Sequence, residues 1–482
     1  MADYDCIIIG AGSGGIGAAI AASRHGLRVL LVEKSPDIGG TAVRAGVHVW
    51  EPVAGATGLP FEIYRRLTQH ENAAAITSFD RHILWDDAEL PWPGSLKVPD
   101  PQRTYADTLQ RHGARSMAED EEFCRRVFHS VVFEPQVYVR VVAAMLDDAG
   151  CEVRCGTTFA SANVRDSHVR SVEFDDGSAV TAHTYIDCTG NAVVCEACGC
   201  EMMFGQETRG RFDEPHAPEN PTTRINGATL VYHVTPAHPP AIEPLPEGIP
   251  SGCWWRDRFP SAAFVQYPCT DLNINMLPTL SGEELTSLGH DAAMAEARRR
   301  IRAHWHYLQT HHEQFRHYRM SRVAPELGVR EGLRVVTEYV LNENDLLAGL
   351  SGQSHPDIIA IADHAMDTHG SGGGCRELPE PYGVSCRSLV PEGFDNLLVA
   401  CRGAGFSSIA ASSCRLSRTM MQLGQAAGTA AAIAAETSTA VSAISTDTLR
   451  RKLRGDHVQL TWPMSPQLRA YIGSPTIHPD AG

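Results

Sequence analysis

The sequence lacks a membrane-length apolar run and has no excess of positive charge. Its most apolar late segment, residues 426–435, is alanine-rich and much shorter than the roughly 20 residues that span a bilayer. Acidic residues outnumber basic residues by 57 to 41, so the net charge of -16 repels phosphate backbones and anionic membranes on average. The composition therefore argues against both nucleic acid and a membrane as partners.

The N-terminus also lacks the basic start and apolar core of a secretory leader, because residues 1–5 lead directly into a strand pattern. We therefore expect a cytoplasmic protein whose 14 cysteines are reduced thiols rather than a disulfide framework. Cys195, Cys198 and Cys200 have a metal-like spacing, but no second cluster completes a four-ligand site. We predict no metal centre.

A nucleotide-binding pattern opens the chain. The apolar run Cys6-Ile7-Ile8-Ile9 predicts a buried parallel strand, and residues 10–15 fit G-x-G-x-x-G before an alanine-rich helix and a second strand. In such a unit Gly10 permits the tight turn, Gly12 lets the backbone approach a pyrophosphate and Gly15 allows close helix–strand packing. The helix N-terminus then stabilises the phosphate charge. This βαβ unit predicts a dinucleotide site.

The residues after the second strand refine this prediction. Glu33 ends the strand, where its carboxylate can accept hydrogen bonds from ribose hydroxyls and disfavours a 2′-phosphate. The glycine hexad alone does not separate FAD from NAD. The pair Gly39-Gly40 lies just beyond, where backbone could approach a longer ligand.

Three later blocks extend the pattern through the chain. Residues 150–190 contain several strand-like runs and end in Cys188-Thr189-Gly190, and residues 326–341 carry Arg330. Residues 387–428 include Arg402-Gly403 and a small-residue segment, Gly424-Gln425-Ala426-Ala427-Gly428. With the opening unit, these blocks resemble the two-dinucleotide-binding-domain flavoproteins, and more closely the FAD-dependent oxidoreductase (FAD_oxidored) family.

The resemblance implies FAD as the cofactor in a Rossmann-type FAD/NAD(P)-binding α/β fold of the glutathione-reductase type. It also implies that Phe159 offers backbone to the adenine, and that the small-residue helix points its N-terminus at the isoalloxazine. The cofactor-binding residues expected on the opening unit and the resemblance are Gly10, Gly12, Ser13, Gly14, Gly15, Glu33, Lys34, Gly39, Gly40, Thr41, Phe159, Thr189, Gly190, Arg402, Gly403, Gln425 and Ala426.

The chain departs from the family pattern at several small positions. Cys188 replaces the commoner Ala, Cys401 replaces Gly, and Ser385-Cys386 stands where Pro-Tyr is usual. In the third block Gly332 and Leu333 replace residues of a segment that is normally richer in Arg and Ser. We interpret the departures near the flavin edge as an altered substrate pocket.

The segment between the second and third blocks lacks the βαβ rhythm and is rich in proline. We expect an inserted α+β substrate or cap domain over 204–374, with a strand at 228–233 and a solvated, histidine-rich helix at about 291–317. The FAD-binding domain is expected over 1–203, with a helical insertion at about 60–130, and over 375–440. Residues 441–482 are expected to form a C-terminal extension.

A dehydrogenating flavoenzyme needs a base, and histidine has a suitable pKa near neutrality. His48 follows Arg44 by four residues, so the two would share one helix face close to the flavin. His364 and His369 precede the glycine-rich residues 370–374, which could bend beside a pocket. The candidates for catalysis and substrate binding are Arg44, His48, Arg330, His364, His369 and Arg387.

We predict an FAD enzyme that oxidises a small organic substrate by hydride transfer and is re-oxidised by oxygen or a separate acceptor. A reverse reaction, the fumarate-reductase-like reduction of an activated double bond, stays open, as does a flavin-bearing electron-carrier or binding subunit. No second dinucleotide fingerprint follows a strand, which argues against an NAD(P)H domain. The substrate, the acceptor, the flavin linkage and any homo-oligomer are left undecided.

Overall fold

The structure is a computed structural model that describes residues 2–85, 93–369 and 374–474. Its strands, in chain order, are β1 (Tyr4–Ile9), β2 (Val29–Glu33), β3 (Val49–Trp50), β4 (Ala74–Arg81), β5 (Gly94–Pro99), β6 (Ser130–Phe133), β7 (Glu152–Cys155), β8 (Phe159–Arg165), β9 (His168–Phe174), β10 (Ala179–Val180), β11 (Ala182–Asp187), β12 (Met202–Met203), β13 (Tyr232–Pro236), β14 (Ala262–Gln266), β15 (Leu272–Met276), β16 (Tyr318–Val323), β17 (Arg334–Val335), β18 (Ile358–Ala362), β19 (Met366–Thr368), β20 (Gly374–Arg376), β21 (Tyr382–Ser385) and β22 (Leu397–Val399).

The α-helices are α1 (Ser13–Arg24), α2 (Thr41–Arg44), α3 (Leu59–Leu67), α4 (Glu121–Val127), α5 (Pro135–Asp148), α6 (Val193–Ala197), α7 (Arg209–Phe212), α8 (Gly282–Leu288), α9 (His290–His311), α10 (Glu343–Gly352), α11 (Ser408–Ser413), α12 (Ser417–Thr437), α13 (Thr446–Gly455) and α14 (Pro466–Gly473). None of these helices, which cover the described residues only, combines the length and apolarity that a bilayer crossing requires.

Five parallel strands form the first sheet, in the order β22-β11-β1-β2-β7. Strand β1 is buried from Cys6 to Ile9, as expected for a parallel strand covered on both faces. The non-consecutive order, with β1 between β2 and β11, is the arrangement of an open α/β fold that binds ligands at the carboxyl ends of its strands. The predicted Rossmann-type fold is confirmed.

Helices α1 and α12 pack against each other so closely that glycine is required at the contact. A Cβ on Gly17 would lie 2.1 Å from the carbonyl oxygen of Met421, and one on Gly424 would lie 1.9 Å from that of Gly14. A Cβ on Gly428 would lie 2.2 Å from the carbonyl oxygen of Ala18. The small-residue segment near the end of the chain therefore serves the packing of the nucleotide-binding helix.

The second large sheet has eight strands in the order β16-β13-β15-β14-β5-β4-β6-β3. Strands β4 and β5 lie in the region at about 60–130 that was expected to be helical, so the helical prediction is wrong there. The physical reason is a long-range pairing: β5 runs parallel to β14, with Gly94 opposite Ala262. This sheet therefore joins chain from both sides of position 204, and the domain boundaries at 204 and 374 stay a prediction.

The histidine-rich helix is observed as α9, followed by a 3₁₀ turn at Glu313–His317. It packs its apolar side on the eight-stranded sheet, so the prediction of a solvated helix is wrong for that side. His304 is fully buried and its Nδ1 lies 2.8 Å from the hydroxyl of Tyr232. Burial lowers the pKa of His304 to about 3. The strand expected at 228–233 begins later, at Tyr232, and continues to Pro236, while Ala228 and Thr229 form only isolated bridges.

Candidate functional site: a nucleotide and substrate cavity

A cavity of about 1860 Å³ follows the carboxyl ends of the parallel strands. Ile9, Glu33, Cys188 and Cys401, which end or follow four of these strands, all line it. Small-molecule pockets usually have volumes of about 300–1,000 Å³. The cavity therefore has room for a dinucleotide and a second, smaller molecule.

The turn between β1 and α1 forms one wall of this cavity. Gly10 has φ +98°, a left-handed conformation that favours glycine. Cβ atoms on Gly14 and Gly15 would lie 1.9 and 1.8 Å from backbone oxygens, whereas a Cβ on Gly12 would meet no atom closer than 4.0 Å. Gly12 thus keeps open a space that the protein does not fill, as a pyrophosphate cradle requires. Ser13 and Gly14 also line the cavity.

Glu33 links the strand end to the glycine turn. Its buried carboxylate accepts hydrogen bonds from the backbone N–H of Ala11 at 2.8 Å and of Ser35 at 2.9 Å. Thr157 and Phe159 line the same end of the cavity, and the N–H of Thr157 donates to the carbonyl oxygen of Glu33 at 3.1 Å. These residues could hold a nucleoside, because the hydrogen bonds fix the carboxylate in position. Lys34 also lines the cavity.

Arg402 is the cation at the nucleotide end. Its Nη2 donates to Asn191 at 3.2 Å, and its Nε is buried without a partner among the described residues. The guanidinium lies against Gly190, where a Cβ would come within 2.8 Å of Nη2. Burial lowers the pKa of Arg402. An anion such as a dinucleotide pyrophosphate fits this orphaned donor, and Thr189 and Gly190 share the wall.

Five of the expected cofactor residues do not line the cavity, namely Gly15, Gly39, Gly403, Gln425 and Ala426. Gln425 faces the α3 side instead, where its Oε1 accepts a hydrogen bond from the N–H of Leu59 at 3.3 Å. Gly39 supports the glycine turn by donating its N–H to the carbonyl oxygen of Ala11 at 2.8 Å. Its neighbours Gly40 and Thr41 reach the cavity.

The N-terminus of α12, rather than its middle, faces the cavity. The helix begins at Ser417, eight residues before Gln425. The residues that line the cavity here were not predicted from the sequence; they are Leu416, Ser417, Arg418 and Met420. The small-residue helix could have indicated these residues, because the N-terminus of a helix presents free N–H groups and positive charge to a ligand. This end could hold the polar edge of a flavin.

His48 lies behind the cavity wall. Val47 and Val49 on either side line the cavity, whereas Nδ1 of His48 lies 2.8 Å from the Tyr267 hydroxyl and 3.1 Å from Nε2 of His233. Burial, with repulsion from Arg322, lowers the pKa of His48 to about 3. The structure therefore does not bring His48 to the cavity as a base.

Arg44 lines the cavity but does not share a helix face with His48, because α2 ends at Arg44. Its Nε forms an ion pair with Glu326 at 2.7 Å. Arg387 lies outside the cavity lining and pairs with Asp357 at 3.1 Å. Arg44 and Arg387 thus each have an acidic partner.

His364 and His369 both line the cavity. Nδ1 of His364 lies 2.9 Å from the carbonyl oxygen of Ala365, and burial lowers the pKa of His364 well below its usual value. Nε2 of His369 lies 2.6 Å from Oδ2 of Asp367, a carboxylate that also receives Nη2 of Arg415 at 3.2 Å. Residues 370–373 of the glycine-rich segment lie outside the described residues.

Arg330 lines the same part of the cavity. Its Nη1 donates to the carbonyl oxygen of Gly227 at 2.7 Å and to Oγ1 of Thr229 at 2.9 Å. The backbone N–H of Gly227 in turn donates to the carbonyl oxygen of His369 at 2.9 Å. One short segment therefore connects Arg330 with His369.

The sequence reasoning missed a charged network in a further part of the cavity wall. Lys97 pairs with Glu51 at 2.9 Å, and Arg111 pairs with Glu377 at 2.7 Å. Lys97, Glu51 and Arg111 line the cavity, and their charges together with Glu377 cancel. No local motif marks these residues, since the partners lie 46 and 266 residues apart.

Within the described ranges, no group of three or more His, Cys, Asp or Glu side chains is arranged to hold a metal ion. Cys195, Cys198 and Cys200 are free thiols. The metal-like spacing of these three cysteines is therefore not matched by a set of metal ligands among the described residues.

A glycine cradle, a strand-end acid and a helix N-terminus around one cavity, at the carboxyl ends of a parallel sheet, define the class of Rossmann-type dinucleotide-binding flavoproteins. The family model described as FAD dependent oxidoreductase matches residues 5–453, nearly the whole chain. The chain belongs to this family, and FAD is its cofactor.

Similarity to individual curated proteins is confined to short segments. The chain is 42% identical over 50 residues to a 3-oxosteroid 1-dehydrogenase of Mycolicibacterium smegmatis, a match that covers 10% of this chain and 9% of that protein. It is 43% identical over 68 residues to dihydrolipoyl dehydrogenase 3 of Pseudomonas aeruginosa, covering 13% of this chain and 15% of that protein. The matches thus span about a tenth of the relatives' length.

Solved structures align over much more of the chain. A geranylgeranyl bacteriochlorophyll reductase-like protein from Thermoplasma acidophilum aligns with a TM-score of 0.45 at 12% identity, covering 97% of this chain and 95% of that one. A myxobacterial FAD-dependent chondrochloren halogenase aligns with a TM-score of 0.44 at 12% identity, covering 94% of this chain and 78% of that one.

Proposed function

We propose that this FAD-dependent oxidoreductase dehydrogenates a small organic substrate, with the His369–Asp367 pair as the general base. The observation that supports the proposal is the contact of 2.6 Å between Nε2 of His369 and Oδ2 of Asp367 on the wall of the nucleotide and substrate cavity. A histidine oriented by a carboxylate is a recurrent general-base arrangement in enzymes.

The pair sets the tautomer of the imidazole. An ionised Asp367 accepts the hydrogen on Nε2, which leaves the lone pair on Nδ1 to take a proton from a substrate N–H or O–H group. His369 and Arg415 hold the pKa of Asp367 well below its usual value, against the opposing effect of burial. Burial lowers the pKa of His369, partly offset by Asp367, so the imidazole is neutral at physiological pH.

When bound, FAD would supply the redox chemistry of the reaction, as the acceptor of a substrate hydride whose two electrons then go to oxygen or a separate acceptor. The protein's own contribution is to bind and orient. Gly12, Glu33 and Arg402 would hold the dinucleotide, and the N-terminus of α12 would stabilise negative charge on the reduced ring. Val47, Val49 and Val231 contribute apolar surface to the cavity wall.

The proposal is tested by an anaerobic screen of primary alcohols, secondary alcohols and amines against the FAD-loaded protein. Loss of the oxidised flavin absorbance on mixing, restored by air or an added dye acceptor, supports dehydrogenation. Turnover of an enoate by dye-reduced enzyme, without bleaching by any alcohol or amine, favours the reductive reaction instead. Flavin that only a partner protein reduces would make the chain an electron carrier.

A further inference from the structure

We propose that Arg330 binds an anionic group of the substrate, most simply a carboxylate, so that the substrate class is an organic acid. The inference deepens the proposed function, since it assigns a ligand to a side chain of the same cavity. It rests on the pairing of cations around the cavity wall, where Arg330 differs from its neighbours.

Most other buried or half-buried cations at this end of the cavity have an acidic partner. Arg44 pairs with Glu326 at 2.7 Å, and Lys97 pairs with Glu51 at 2.9 Å. Arg111 pairs with Glu377 at 2.7 Å, and Arg415 pairs with Asp367 at 3.2 Å. The buried Arg418 has no carboxylate partner among the described residues, but both of its Nη atoms donate to oxygens of Thr108 and Glu51. Among the described residues, no carboxylate lies within 4.0 Å of Arg330.

The local charge is therefore positive by one unit. Asp367 and Arg415 cancel each other, so the charge of Arg330 has no counter-ion in this part of the wall. Burial and repulsion from Arg415 lower the pKa of Arg330, against the opposing attraction of Asp367. A buried cation is costly unless an anion compensates it, so a negatively charged ligand is favoured here.

The guanidinium is also oriented for such a ligand. Its hydrogen bonds to the described residues use Nη1 alone, which donates to Gly227 and Thr229. Nη2 and Nε are thus available for the bidentate geometry in which arginine binds carboxylates. Two acceptors on one side hold the plane of the group, so little side-chain entropy is lost when the anion binds.

The same segment couples the anion site to the proposed base. Gly227 accepts a hydrogen bond from Arg330 through its carbonyl oxygen and donates its N–H to the carbonyl oxygen of His369. A carboxylate held by Arg330 therefore brings the adjoining carbon atoms of the substrate close to His369. The arrangement fits a molecule with an acidic group near the oxidised C–H bond, such as a hydroxy acid or an amino acid.

The test uses isothermal titration of the FAD-loaded protein with three carboxylates, acetate, succinate and benzoate, each beside its neutral amide. We expect at least one carboxylate to bind at least 10-fold more tightly than its amide. Arg330→Gln should abolish this preference, and Arg330→Lys should keep part of it. The exposed Arg209, which pairs with Glu219, supplies the control variant Arg209→Gln with wild-type affinities.

Equal binding of acids and amides, no binding of any of the three acids, or wild-type affinity in Arg330→Gln would overturn the inference. The wild-type comparison needs no variant and stands even if Arg330→Gln does not fold, which flavin content and thermal melting monitor. Arg330-dependent binding in a protein that no donor reduces leaves the anion site intact and removes the proposed function. Reduction of the flavin by neutral donors, in a protein that binds acids no more tightly than amides, supports the proposed function and removes the anion site.

Discussion

Nε2 of His369 lies 2.6 Å from Oδ2 of Asp367, on the wall of a cavity that the N-terminus of α12 also lines. The two residues are only two positions apart, in the middle of the short strand β19 and just after its end. A base and the group that orients it thus come from one extended segment.

Replacement of this pair should slow flavin reduction. Once a substrate is identified, His369→Gln should lower the reduction rate by about 10²-fold or more, because a positioned base is lost. Stopped-flow absorbance measures the rate, and unchanged FAD content is the control. Reduction at the wild-type rate would transfer the role of base to His364.

The pH dependence of flavin reduction should follow the protonation of His369. Burial lowers the pKa of His369, so the rate should rise with pH through a midpoint below 6.5 and be level at higher pH. Asp367 opposes this effect of burial, so Asp367→Asn should move the midpoint to still lower pH and reduce the plateau. A midpoint that moves upward in Asp367→Asn contradicts the assignment.

Substitutions of two glycines in the opening turn should distinguish an effect on cofactor binding from an effect on folding. Gly12→Val should fold and lose FAD, because its side chain enters space that no protein atom occupies within 4.0 Å of the Cβ. Gly15→Ala should destabilise the apoprotein as well, because the Cβ would lie 1.8 Å from the carbonyl oxygen of Gly10. Flavin absorbance and apoprotein melting measure the two effects. Full yellow colour in folded Gly12→Val would remove this turn from the site.

Glu33 should act on FAD through the glycine turn as well as through the ribose. Glu33→Ala removes the acceptor of two backbone N–H groups, at Ala11 and Ser35, a loss on the order of 1–3 kcal/mol. FAD should leave the variant faster on dilution, as flavin fluorescence reports, and the apoprotein should melt earlier. Glu33→Gln retains one acceptor oxygen, so its FAD off-rate and its melting temperature should lie between those of wild type and Glu33→Ala. Equal off-rates in wild type and Glu33→Ala would exclude the role.

His48 should contribute to stability rather than to turnover. The unfolded histidine protonates near pH 6.5, whereas burial keeps the folded group neutral down to about pH 3. Below pH 6.5 the unfolded state therefore binds more protons, and the free energy of unfolding falls by up to about 1.4 kcal/mol per pH unit per such group. Denaturant unfolding of His48→Gln between pH 6.5 and 4 should show a smaller slope than wild type.

The matched control for His48 is the exposed His311, whose replacement by Gln should keep the wild-type slope of stability against pH. Flavin reduction in His48→Gln should stay within about 3-fold of wild type, because the side chain does not reach the cavity. A loss of 10²-fold at unchanged stability would restore His48 as a base.

Local patterns predicted a nucleotide site on residues of which most line one cavity. The strand, the glycines, the helix and Glu33 lie within one contiguous βαβ unit, whose geometry depends on neighbours in the sequence. Gly39 and Gly40 illustrate the limit of such patterns. Both adopt positive φ, yet only Gly40 lines the cavity, whereas Gly39 braces the turn through Ala11.

The sequence by itself determined the fold class and the cofactor, because the βαβ unit that indicates them depends on short-range backbone geometry. Only the tertiary structure decided which charged and titratable side chains meet at the other end. Arg44 is neutralised by Glu326, 282 residues away, while Arg330 meets no acid among the described residues. His48 lies behind the wall against Tyr267, which directly follows β14, 219 residues further along the chain. Such pairings follow from how distant strands come together, and no local spacing encodes them.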